Sequence, residues 1–93
     1  MKCQEIKIIE NQQMQVEQYI STEKFEQAIT LLNECIEEIG DNYFSETSLD
    51  STGMKLVLAN AEEQKGNLQT AANLKNNVLK ARIELVKQNL QCN

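Results

Sequence analysis

The stretch Phe25-Glu26-Gln27-Ala28-Ile29-Thr30-Leu31-Leu32-Asn33-Glu34-Cys35-Ile36-Glu37-Glu38-Ile39-Gly40 decides the fold class. Phe25, Ala28, Ile29, Leu32, Cys35, Ile36 and Ile39 recur at steps of three and four, the spacing of one face of an α-helix. The pattern predicts a helix over about 23–39. Gly40 is expected to close it, because glycine takes the left-handed geometry of a helix C-terminus without penalty. Ser21-Thr22, just upstream, offers hydroxyls to cap its start.

Three more helices follow from the same period. Residues 4–20 carry Ile6, Ile9, Gln13, Val16 and Ile20 on one stripe, with Gln13 as its polar interruption. Residues 52–65 place Met54, Val57, Leu58 and Ala61 on one face. After the Gly66-Asn67 turn signal, residues 68–90 carry Leu68, Ala71, Ala72, Val78, Leu79, Leu85, Val86 and Leu90. Lys80, Arg82 and Lys87 in its later turns suit the negative end of a helix dipole. Between the second and third helices lies a polar connection, 41–52, with Tyr43, Phe44 and Leu49 inside it. Three apolar residues there predict a loop packed against the domain. The chain has no Pro and three Gly, which leaves long helices uninterrupted.

The second and fourth helices repeat one another. Phe25 to Ile36 and Leu68 to Leu79 align at an offset of 43 residues, and every apolar position of the first is apolar in the second except Leu32, which faces Lys75. The expected fold is all-α, with four helices as two tandem antiparallel hairpins in a single domain. Hairpin one covers about 4–40 and hairpin two about 53–90. A closed four-helix bundle is the alternative. Cys3 and Cys92 discriminate the two. A closed bundle makes helices one and four neighbours and brings the thiols toward bonding range, whereas an open stack keeps them apart. In a reducing compartment they would stay two terminal thiols.

Composition narrows the chemistry. The 93 residues include no His, so the commonest general base and metal ligand are missing. Glu37-Glu38 and Glu62-Glu63 are helix neighbours that point in different directions, which makes them poor acid/base pairs. The glycines at 40, 53 and 66 form no phosphate-cradling loop. No enzymatic activity, cofactor or metal is expected. Cys35, on the apolar stripe, reads as a buried structural thiol. Met1-Lys2-Cys3-Gln4-Glu5 leads into no apolar run of signal-peptide length. The longest such run, Leu56 to Ala59, is far short of a membrane helix. A cytoplasmic setting without membrane contact is expected.

The charge is divided. Residues 1–50 carry three lysines against eleven carboxylates, a net −8, while residues 51–93 carry six cations against three carboxylates, a net +3. Such asymmetry can steer a charged partner or favour pairing of copies. Lys75, Lys80, Arg82 and Lys87 suggest a basic stripe on the fourth helix. With an acidic chain and no interleaved aromatics, nucleic-acid binding is not expected.

The hairpins resemble the tetratricopeptide repeat. Tyr19, Phe25, Ala28, Leu32 and Cys35 match its signature in the first, and Leu58, Ala59, Gly66, Leu68, Ala71 and Val78 in the second. The period departs from the family's usual one of about 34 residues. Glu23 stands where the turn often has Gly, Glu62 replaces the counterpart of Tyr19, and the closing Pro is absent. The resemblance implies a peptide groove lined by the first helix of each hairpin: Gln13, Met14, Glu17 and Ile20, then Leu56, Val57, Asn60, Glu63 and Gln64. Asn60 matches a position that often bonds a peptide backbone in the family. An amide-rich, acidic groove favours a basic or neutral polypeptide. The expected role is a non-enzymatic protein–protein interaction module. The alternative is a dedicated neutraliser or chaperone, such as an immunity protein, antitoxin-like inhibitor or secretion chaperone, masking a basic partner. Self-association is also expected, since two repeat units leave apolar surface at an end.

Overall fold

A computed structural model of the chain describes residues 2–43 and 51–92. They form four α-helices: α1 (Cys3–Ser21), α2 (Phe25–Tyr43), α3 (Ser51–Gln64) and α4 (Leu68–Leu90). The fold is all-α, in two successive helical hairpins.

The two hairpin turns are built alike. In the first, the Lys24 amide donates to the Tyr19 carbonyl at 2.8 Å and the Glu23 amide to that of Ile20 at 3.1 Å. In the second, Asn67 donates to Glu62 at 2.9 Å and Gly66 to Glu63 at 3.0 Å. Both are the paired backbone bonds that close a helix around a left-handed residue. That residue is Gly66 (φ 86°) in one turn and Glu23 (φ 60°) in the other. Glu23 holds a conformation that costs a side-chain-bearing residue about 1 kcal/mol. The hydroxyls of Ser21 and Thr22 serve the end of α1, not the start of α2: both donate to the Gln18 carbonyl, at 2.8 and 3.0 Å.

The core lies among α1, α2 and α4. Ile6, Ile9 and Val16 of α1 meet Ala28, Leu32, Cys35 and Ile39 of α2 and Ala71, Val78, Leu79, Ile83 and Val86 of α4. Helix α4 packs against each of the other three, and α1 packs against α2; among the described residues α3 packs only against α4. Helices α2 and α4 run parallel, because Asn33 meets Lys75 at 2.7 Å and Gly40 faces Arg82 further along both helices. Cys3 and Cys92 are joined in a disulfide with Cα atoms 5.7 Å apart. The ends of α1 and α4 are thus neighbours, as the closed arrangement requires, whereas α2 and α3 do not meet.

Three local expectations are corrected. Gly40 does not end α2, which continues to Tyr43. A methyl group at Gly40 would make only an ordinary contact, 3.9 Å from an Arg82 nitrogen, so the position neither caps the helix nor requires glycine for space. Residues 41–43 and 51–52 therefore belong to helices; Phe44 and Leu49, expected to pack within a loop, lie outside the described residues. The third correction is the face of α3. Met54, Val57 and Leu58 point outward, 79%, 69% and 52% exposed, and the buried side is Thr52 and Ala59, with Leu56 half-buried against the core. The rotation follows from the partner: Arg82 of α4 donates to Thr52 at 3.2 Å and Lys75 reaches Glu63 at 2.6 Å, which turns the polar side of α3 inward.

The disulfide closes nearly the whole chain, 89 residues apart in sequence. Cross-linking so long a loop restricts the unfolded chain and stabilises the fold by about 4 kcal/mol, a large share of the total for a domain this size. Urea unfolding of the oxidised protein against a Cys3→Ser, Cys92→Ser variant should show this difference. Coincident curves would contradict it.

Candidate functional site

The seam between α1 and α4 absorbs much of the chain's charge. Gln13, the interruption in the α1 stripe, is buried and donates to the Asn76 side-chain oxygen at 2.9 Å. Asn76 donates to Glu17 at 3.4 Å, and Lys80 approaches the same Glu17 oxygen at 3.4 Å. Burial works against ionisation of Glu17, but hydrogen bonds from Gln13 and Asn76 and the charge of Lys80 outweigh it and hold the carboxyl below its ordinary value. Nearer the disulfide, Lys87 meets Glu10 at 2.9 Å, and the hydrogen bond and charge of Glu10 raise the lysine above its usual range.

Lys75 replaces Leu32 in the repeat and yet stays in the core. It is 2% exposed, with its ammonium bonded to Glu63 of α3 at 2.6 Å and Asn33 of α2 at 2.7 Å. The long stem fills the apolar position and delivers its charge to two acceptors at the rim. The four cations of α4 therefore form no free stripe. Lys75, Lys80 and Lys87 have carboxylate partners, and Arg82 is buried against Thr52.

Helix α2 carries the densest group of acids in the chain. Phe25–Tyr43 contains no basic residue. Glu26, Glu34 and Glu37 are exposed at helical spacing and take part in no ion pair among the described residues. Beside them, at the junction with the end of α1, a shallow depression of about 460 Å³ is lined by Tyr19, Glu26, Gln27, Thr30, Leu31 and Glu34. Tyr19 and Leu31 give it an apolar floor, with carboxylates at both ends. The negative field reaches inward. Cys35 is raised to about 11, by burial first and then by the charges of Glu38 and Glu34.

The residues of the expected groove are distributed over helices that do not meet. Gln13 is buried in the α1–α4 seam, Glu17 is tied to Asn76 and Lys80, and Ile20 packs against the core. Met14 is exposed on α1. On α3, Leu56 packs against the core, Glu63 holds Lys75, and Val57, Asn60 and Gln64 are exposed. With α4 standing between α1 and α3, these two sets do not line one groove. The α2 depression was missed as a site; its signal in the sequence is the cation-free run 25–43. Among the described residues no helix is long and apolar enough to cross a membrane. Compared with known proteins, the chain matches no family model, no curated protein and no solved structure.

Two outcomes are expected. Glu63→Ala leaves the buried Lys75 ammonium without its counter-charge, bonded to Asn33 alone, and should cost about 3 kcal/mol, whereas Lys75→Met, which removes the charge and keeps the volume, should be near neutral; denaturant midpoints compare them. For Cys35, the native thiol keeps its proton to higher pH than the unfolded one. The disulfide-bonded protein should therefore be fully stable, in this respect, below pH 9, and lose stability as pH rises from about 9 to about 11. A Cys35→Ala variant should lack that loss.

Proposed function

We propose that the protein is a non-enzymatic interaction module that binds a basic polypeptide on the outward face of its first hairpin. The observation that carries this reading is the pairing pattern of the carboxylates. Those facing α4 have cations from within the chain; Glu26, Glu34 and Glu37 have none. A cationic segment lying along α2 would supply them. Its lysine or arginine stems would rest on Tyr19 and Leu31, with the charged heads at Glu26 and Glu34. Such a face gives fast, salt-sensitive association and rejects acidic segments.

A dedicated neutraliser of one basic partner is the second reading. The net −8 of residues 1–50 favours it, since that excess suits masking a cationic surface. A single tight partner separates it from a general adaptor. The cytoplasmic setting belongs to this proposal as well. The Cys3–Cys92 disulfide weighs against that setting, since cellular thiols there keep such bonds reduced.

The test is fluorescence anisotropy with a labelled peptide alternating Lys/Arg with Leu, against the same peptide carrying Glu in place of each cation. The basic peptide should bind, weaken steadily with added salt, and lose at least about tenfold in affinity to the Glu26→Lys, Glu34→Lys protein. Equal binding of both peptides, or indifference to the charge reversal, would refute the reading.

A further inference from the structure

Helix α3 has its apolar stripe on the wrong side for its own domain. Met54, Val57 and Leu58 lie opposite the buried Thr52 and Ala59 and the half-buried Leu56, and they are among the most exposed large apolar side chains of the described residues. The stripe also lies on the helix best suited to meet a copy of itself. Across Ser51–Gln64 and the adjoining Lys65, two lysines balance two glutamates, while α2 carries acids alone. In a chain of net charge −5, α3 is where two copies repel least.

The flank of the stripe is self-complementary. Lys55 and Glu62 sit seven residues apart, two turns along the same edge of the Met54–Val57–Leu58 face. Lys55 is exposed and makes no ion pair among the described residues, while Glu62, 19% exposed, accepts from Asn67 at 2.7 Å and lies 3.8 Å from Lys65, so the partner's Lys55 would share this carboxylate with Lys65. When two identical helices pack antiparallel about a two-fold axis, like edges face each other and residue i meets residue j while j meets i. An antiparallel pair centred between Leu58 and Ala59 sets Lys55 of each copy across from Glu62 of the other, with Met54, Val57 and Leu58 interleaved between.

We infer that α3 is a homodimerisation helix: two copies of this chain pair α3 against α3 antiparallel, burying Met54, Val57 and Leu58 and closing two reciprocal Lys55–Glu62 ion pairs. A pair of four-turn helices is small for a specific interface, so the dimer dissociates in the micromolar range. Pairing leaves α2 outward on both copies, which gives the assembly two acidic faces. This inference stands independently of what the acidic face binds.

Sedimentation equilibrium on the disulfide-bonded full chain, from micromolar to millimolar, tests it. The native chain should pass from monomer to dimer. Val57→Asp, an exposed change that leaves the helical circular dichroism intact, should keep it monomeric throughout. Lys55→Glu should weaken the dimer by about tenfold, since it breaks both ion pairs and adds repulsion. The double change Lys55→Glu, Glu62→Lys should restore it. A native monomer at the highest concentration, or a dimer that tolerates Val57→Asp, overturns the proposal; failure of the charge swap to restore pairing overturns the antiparallel register. Val57→Asp should leave basic-peptide binding unchanged, so loss of one activity is read separately from loss of the other.

Discussion

Everything in the fold depends on α4 satisfying three different neighbours at once. One flank meets α1 through Asn76, Lys80 and Lys87, and the other meets α3 through Lys75 and Arg82. Between these lie Leu79 and Val86 of the shared core. The polar groups on both flanks are bonded, and among the described residues no buried side-chain nitrogen or oxygen lacks a partner. That matters because an unbonded polar group in such a seam costs more than an apolar replacement. The Gln13–Asn76–Glu17–Lys80 chain thus sets the register of α1 on α4, and the disulfide ties the end of the same seam.

The charge imbalance of the sequence acquires a structural meaning from this arrangement. The excess cations of the second half are not a separate surface. Four of the six sit on α4, where Lys75, Lys80 and Lys87 are turned toward acids of α1 and α3, while Glu26, Glu34 and Glu37 of α2 take part in no ion pair among the described residues. A sum over residues could show that the halves differ in sign. Only the packing of α4 on α1 shows which carboxylates are neutralised and which are not.

How much the sequence disclosed depended on whether local pattern or partner choice decided the outcome. Helix α2 was legible because its apolar stripe is long and regular, and the second turn because Gly66-Asn67 is a turn signal; the first, where Glu23 takes the left-handed position, showed only as the break in pattern at Ser21-Thr22. The face of α3 was not. Periodicity reports that a helix has an apolar side; it does not report whether that side meets its own domain. Here two polar contacts, Thr52 with Arg82 and Glu63 with Lys75, determine the rotation. Gln13 and Lys75 looked like flaws in their stripes for a related reason: each is buried with an acceptor on a neighbouring helix that one-dimensional spacing cannot supply. The expected groove failed to assemble because it required α1 and α3 to be adjacent.

Two hairpins are a short array, and a short array must leave an apolar face uncovered or fold back on itself. This chain does both. Folding back lets α4 rather than α3 occupy the side of hairpin one, so α1, α2 and α4 complete a core among themselves. Among the described residues helix α3 packs on α4 alone, through Thr52, Ala59 and Glu63, with Leu56 reaching the edge of that core. The uncovered face is thereby moved from the end of a stack onto a single helix, where Met54, Val57 and Leu58 concentrate it. A helix held inward by polar contacts and presenting its apolar side outward inverts the usual burial rule. The α3–α3 pairing proposed above would cover that outward side.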